Sequence, residues 1–465
     1  MTESKPALAL VERLLFGLVS SQIYGPGNSR VLEASTEAAR HVAALCRESG
    51  ARTVVVGAVG NQIVVDARPL LGASLFARRL VARVHEREAG GMEFASDVSG
   101  ADVGLLLDLL AKRGGPATHA AVNDELAAHH VAAVRLLPPY ENGRGDEPGA
   151  LGDGAGESTE TEQFGDLLSL HQGVVDLLQG ATICVCQGKD LDLRQVGATV
   201  ESLVDRIDTD AGGLYRLAHY PEHDFFTFGH SIRVGLLAID VARTMSDDRA
   251  LLYRVGTAAL LHDVGKSLIS WDVLHKRGKL DADERREMQR HPTLGAGILM
   301  ATKTADPLSV AAAYGHHRCT DGSGYPRSCS EADQTMVTQL VKVCDVFEAL
   351  TAARPYKASM SPARAFRVML DLRGQFDPTM LSHFIRTVGI YPAGTEVHLD
   401  DGSIARVVRQ TGDFHRPMVE VTTDAGGVPI DEGVVRPYDL RHPEPNGPSM
   451  AVGTLVPASA VAALV

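Results

Sequence analysis

The stretch Leu251–Lys266, LLYRVGTAALLHDVGK, decides how the rest of the chain is read. From Leu251 to Leu261 nearly every position is apolar, which predicts a buried helix. That helix ends in His262-Asp263-Val264-Gly265-Lys266. An imidazole and a carboxylate side by side at the end of a buried helix are costly unless something compensates them. A metal ion compensates both, because it accepts a ring nitrogen and a carboxylate oxygen together. Lys266 falls one helical turn after His262 and points to the same place, where a lysine suits an anionic substrate.

Working outward, four more places echo this signal. His230 opens an apolar helix, Ile232 to Val241, and His291 follows the polar helix Asp281–Arg290. His316-His317 closes a helix beginning near Pro307, and Asp345 lies within Met336–Leu350 on the buried face of Val341, Cys344 and Phe347. Taken alone, each histidine reads as an ordinary hydrogen-bonded residue, and the doublet His129-His130 has nothing around it to suggest a metal. Asp281 and Glu284 read as a capping box.

The wider chain is multidomain. At 465 residues it has room for two to four domains of about 150 residues each. The net charge of −13 argues against binding a nucleic-acid polymer, which needs a positive face. Six scattered cysteines make no disulfide framework and read as reduced thiols. Glu12 and Arg13 interrupt the first apolar stretch, and no run reaches the ~18 apolar residues of a membrane span. A cytoplasmic location is expected. Residues 1–137 read as a small α/β domain, with helices at 7–23, 31–49, 74–88 and 100–113 and strands at 53–59, 62–66 and 92–95. Residues 138–162 form an acidic, glycine-rich linker. An all-helical domain spans 163–390, a small β appendage covers 391–441, and 442–465 is expected to be a flexible tail.

His262-Asp263-Val264-Gly265-Lys266, followed by His316-His317 and Asp321-Gly322-Ser323-Gly324-Tyr325-Pro326, resembles the HD-GYP family of HD metal-dependent phosphohydrolases. The segment Leu274–Leu280, His291-Pro292 with Gly295, Asp345, Arg354-Pro355-Tyr356-Lys357 and Phe376-Asp377-Pro378 extend the match over about 225–392. The resemblance implies an HD-type helical fold and two divalent metal ions, iron or manganese, with zinc a further candidate. One ion would be held by His230, His262, Asp263 and Asp345, and the other by His291, His316 and His317, with Asp263 bridging both. Mixed imidazole and carboxylate ligands independently favour these metals over magnesium.

The family's reaction is hydrolysis of cyclic di-GMP to the linear dinucleotide pGpG or to GMP by a metal-bridging hydroxide. Asp263 and Lys266 would then be catalytic, and Lys266, Arg354, Lys357, Gly324, Tyr325 and Pro326 would contact substrate. The alternative is a catalytically weak scaffold or cyclic-dinucleotide sensor that docks diguanylate cyclase (GGDEF) proteins. Departures from the family pattern bear on that choice. Phe226 stands where some members carry a carboxylate for a third metal, so two ions are expected. Arg318 replaces a usual glutamate, Glu348 a common aspartate and Ser270 a frequent proline. The N-terminal domain is assigned to regulation or dimerisation, and a homodimer is expected.

Overall fold

The structure, a computed structural model, describes residues 5–60, 62–112, 114–139, 158–218, 228–276, 278–327, 334–352, 360–413, 415–430, 437–442 and 452–455. Two compact units divide them, one running to Asp176 and the other from Leu177.

The first unit opens with helices α1 (Lys5–Tyr24) and α2 (Ser29–Ser49). Strands β1 (Thr53–Val59), β2 (Gln62–Val65) and β3 (Arg68–Leu70) follow, then helices α3 (Leu71–Phe76) and α4 (Arg78–His85). The rest comprises β4 (Gly91–Ala95), α5 (Gly100–Ala111), α6 (His119–Ala128) and β5 (Val134–Leu137). The sheet order is β3-β2-β1-β4-β5, with every pair antiparallel. The single helix expected over 74–88 is two, because Ala77 leaves helical geometry at φ −92°, ψ 12°. Helix α6 and strand β5 were not anticipated: β5 is a four-residue VRLL beside Pro138-Pro139 and reads in sequence as the approach to the linker.

Helix α1 is long and apolar enough to cross a membrane by length and composition, contrary to the reading from run length, yet 67% of that window is buried. It packs on α2 and α5, where Gly17 leaves room for Leu107. Most of the expected linker, 140–157, lies outside the described residues, and helix α7 (Ser158–Cys186) already begins before its expected end. The first unit reaches past 137 because Gln172 of α7 donates to the Ser74 carbonyl at 2.5 Å.

The second unit contains α8 (Leu193–Ala218), α9 (Phe228–Arg243), α10 (Arg249–Leu261) and the 3-10 turn Val264–Leu268. Helices α11 (Trp271–Leu274), α12 (Ala282–Met288), α13 (His291–Ala301) and α14 (Pro307–Gly315) come next. It is completed by α15 (Met336–Thr351), α16 (Pro362–Asp371) and α17 (Pro378–Val388). Buried α10 packs against α8, α9 and α14, as the apolar run predicts. Phe347, Phe366 and Phe384 fasten α15, α16 and α17 together, with ring centroids 5.0 Å apart for the first two. The capping box of Asp281 and Glu284 is present.

Strands β6 (Glu396–Leu399), β7 (Ile404–Arg409), β8 (Met418–Thr423), β9 (Pro437–Asp439) and β10 (Val452–Leu455) form an antiparallel sheet in the order β10-β6-β7-β8-β9. Alternate residues Val397, Leu399, Ala405, Val407, Val419 and Val421 make its core. Strand β10 corrects the expected flexible tail: its backbone pairs with β6, whose free edge would otherwise expose a row of unmet hydrogen-bonding groups.

One glycine fixes the central geometry. A Cβ on Gly265 would overlap the His291 carbonyl oxygen and the Gly295 nitrogen, so only glycine lets the turn after Asp263 lie on the start of α13. Gly265→Ala is expected to destabilise the second unit by about 1–3 kcal/mol or more, because both obstacles are backbone. Denaturant unfolding checks this, and an unchanged midpoint would show that the turn is free to shift.

Candidate metal centre

Ends of helices carry most of the centre. His230 is the third residue of α9, while His262 caps the end of α10 with Asp263 immediately after it. His291 starts α13, His316 caps α14 with His317 following, and Asp345 lies within α15. The structure gathers these seven side chains, and all but His317 are buried.

The carboxylate of Asp263 sorts the histidines. Its Oδ2 lies 3.6 Å from His230 Nε2 and 3.3 Å from His262 Nε2. Its Oδ1 lies 3.3 Å from His291 Nε2 and 3.6 Å from His316 Nε2. Asp345 closes both sides: Oδ1 is 3.1 Å from His230 Nε2, and Oδ2 is 3.8 Å from His317 Nδ1. Two half-sites therefore share one carboxylate, one formed by His230, His262 and Asp345 and the other by His291, His316 and His317.

Backbone carbonyls set the ring orientations. His262 Nδ1 donates to Ala259 O at 2.6 Å, His291 Nδ1 to Met288 O at 2.7 Å, and His316 Nδ1 to Ala312 O at 3.0 Å. A carbonyl only accepts, so Nδ1 carries the proton and each Nε2 turns a lone pair inward. Such an array suits cations. His262 Nε2 and Asp263 Oδ1 are buried without a hydrogen bond, and His291 Nε2 faces His316 Nε2 at 3.2 Å, lone pair to lone pair. The donor set of imidazoles and carboxylates fits two divalent ions of the iron, manganese or zinc kind.

The electrostatics agree. Burial and the neighbouring His316 bring His317 down to about 2, and burial brings His291 down to about 3, so both remain neutral donors. Burial would raise Asp263, but Lys266 and the histidines hold it well below the usual carboxylate range. Burial lowers His230, yet Glu348 and Asp345 outweigh it and push it up to about 9.

Lys266 reaches the centre through the 3-10 turn and pairs with Asp263 Oδ2. A cleft beside this pair is lined by Phe228, Ser231, Leu261 and Thr182. Gly324 adopts φ +85°, where a Cβ would overlap the His317 carbonyl, and the loop it shapes sets the Tyr325 ring 4.6 Å from that of His317. Pro326 follows Tyr325 at the mouth of the loop.

A family model for the HD domain matches residues 221–380. The chain is 34% identical over 250 residues to the cyclic di-GMP phosphodiesterase PA4108 of Pseudomonas aeruginosa, covering 53% of this chain and 60% of that protein. Residues 221–380 of this chain thus match an HD domain. Other relatives are the 3'3'-cGAMP-specific phosphodiesterase 3 of Vibrio cholerae, 34% identical over 36% of each chain, and a cyclic di-GMP phosphodiesterase of Thermotoga maritima. The last is 34% identical over 35% of this chain and 45% of its own. This chain thus spans between about a third and three-fifths of these relatives' lengths.

Arg354, Lys357 and Phe226 lie outside the described residues. The Leu274–Leu280 segment serves structure, since Lys276 pairs with Glu284 at the capping box. Ser270 gives its N–H to Glu287 at 2.8 Å, a bond that a proline there could not make. Sequence reasoning missed Arg233 and the contact made by Glu348. The available signal was an acid one turn after Asp345 on the same buried helix face.

A pH dependence follows for metal-free protein. Between about pH 3 and about pH 6.5 the unfolded chain protonates His291 and His317 while the folded chain does not, so stability falls as pH drops through this window. His230 acts oppositely: its contribution is complete below about pH 6.5 and is lost as pH rises through about 9. Chelator-treated protein should therefore melt at a lower temperature at about pH 5 than at about pH 7. Equal or higher Tm at the acid value would contradict the buried neutral imidazoles.

Proposed function

We propose that this chain is a metal-dependent phosphodiesterase acting on cyclic di-GMP. The observation that carries the reading is the division of four histidines between the two oxygens of Asp263, with Asp345 closing both half-sites. Divalent ions, if held there, would supply Lewis acidity and activate water toward a phosphodiester. His230, His262 and Asp345 would hold one ion, and His291, His316 and His317 the other, with Asp263 shared.

The chain's own residues do the remaining work. Lys266 is partly exposed and paired only with Asp263 among the described residues, so its ammonium is placed to meet a non-bridging phosphate oxygen at the centre's edge. Burial, with Asp263 and Asp345 nearby, raises the Tyr325 phenol above its ordinary value, so it stays a protonated donor beside His317. Gly324 and Pro326 hold that ring in place, and Arg354 and Lys357 would add substrate-phosphate contacts. The thiols of buried Cys46, Cys319 and Cys344 suit the expected cytoplasmic setting. The scaffold reading draws no support from the site, because no ligand position is lost.

Protein loaded anaerobically with iron or manganese should convert cyclic di-GMP to linear dinucleotide or GMP. Asp263→Ala should lower the rate by at least about 100-fold, since even outer contacts to metal ligands are worth 10- to 100-fold. Parallel reactions with 3'3'-cGAMP decide the base preference. No product from protein of verified metal content would overturn the proposal.

A further inference from the structure

Three of the five histidines owe their orientation to the ends of helices. His262 and His316 directly follow the last residues of α10 and α14, and His291 lies just past the end of α12, so the last-turn carbonyls of Ala259, Ala313 and Met288 accept their Nδ1 protons. His230 stands at the opposite kind of end. Near the start of α9 the unmet backbone groups are N–H donors, and the helix offers its Nδ1 no free carbonyl. The acceptor comes instead from another helix, as Glu348 Oε2 of α15 takes the Nδ1 proton. Glu348 is 2% exposed, and a carboxylate so buried needs an opposite charge. Arg233, one turn after His230, supplies it, with Nε donating to Glu348 Oε1 at 2.6 Å.

We propose that Glu348 is the positioning residue of one half-site alone: it fixes His230 with Nε2 toward the cation position, and Arg233 holds Glu348 in register. This rests on the two-ion reading above. The side-chain hydrogen bonds of Glu348 run to His230 and Arg233, on the side of the first half-site, so its effect is expected at one ion of the pair. Helix α15 thereby contributes twice to the same half-site, through the ligand Asp345 and, one turn later, through the residue that orients His230. Glutamate reaches farther than aspartate, and Arg233 takes its second oxygen, so the longer side chain is tied at both ends.

The test is equilibrium Mn2+ binding to full-length, metal-free protein by titration calorimetry, with bound manganese counted independently. Wild-type protein should take two ions. Glu348→Gln should keep one at wild-type affinity while the other weakens about 10- to 100-fold, the usual range for an outer contact to a metal ligand. The retained ion shows that the variant is folded. Arg233→Gln should weaken the same ion, and the double variant should be no weaker than Glu348→Gln, as expected of residues acting in series. Equal weakening of both ions, or of neither, would overturn the inference, and additive losses would overturn the role of Arg233. Uptake of fewer than two ions by wild-type protein would remove the two-ion reading and the inference with it.

Discussion

The centre depends on one shared carboxylate. Asp263 turns one oxygen to His230 and His262 and the other to His291 and His316, at separations between 3.3 and 3.6 Å. A fully buried acid among this many imidazoles is tolerable only because each ring has its outer nitrogen occupied elsewhere. Carbonyls do this at three positions and a carboxylate does it at the fourth. The fold supplies these acceptors by ending helices at the centre, which leaves last-turn carbonyls unmet where a ligand ring can use them.

Packing then decides whether the acceptors converge. Gly265 lets the turn after Asp263 lie against the backbone of α13, and Gly235 and Gly256 bring α9 and α10 together over Leu260 and Ile239. The aromatic contacts of Phe347 with Phe366 and Phe384 hold α15 so that Asp345 and Glu348 face the same ring of His230. Small residues and stacked rings that carry no chemistry of their own thus set the ligand distances.

Much of this was legible in the sequence, for physical reasons that differ by element. Helix α10 could be read because an apolar run ending in His262-Asp263 leaves few alternatives, and strands β6 and β7 because alternation is a direct image of a half-buried sheet. The gathering of the seven ligand candidates followed from a resemblance spread over many ordered motifs. Strand β10 was illegible, since its backbone pairs with β6 across a long separation in sequence. The break at Ala77 was hidden for a similar reason: no proline or glycine marks it. The roles of Arg233 and Glu348 were hidden because their meeting spans 115 positions, and only the packing of α9 on α15 reveals it.

The central claim is that two cations sit on either side of Asp263. A crystal of manganese-loaded protein, measured at the metal's absorption edge, tests it most directly. The account predicts two anomalous peaks ~3.5–4 Å apart, one among His230, His262 and Asp345 and one among His291, His316 and His317, with Asp263 between them. A single peak, or peaks that Asp263 does not touch, would contradict it.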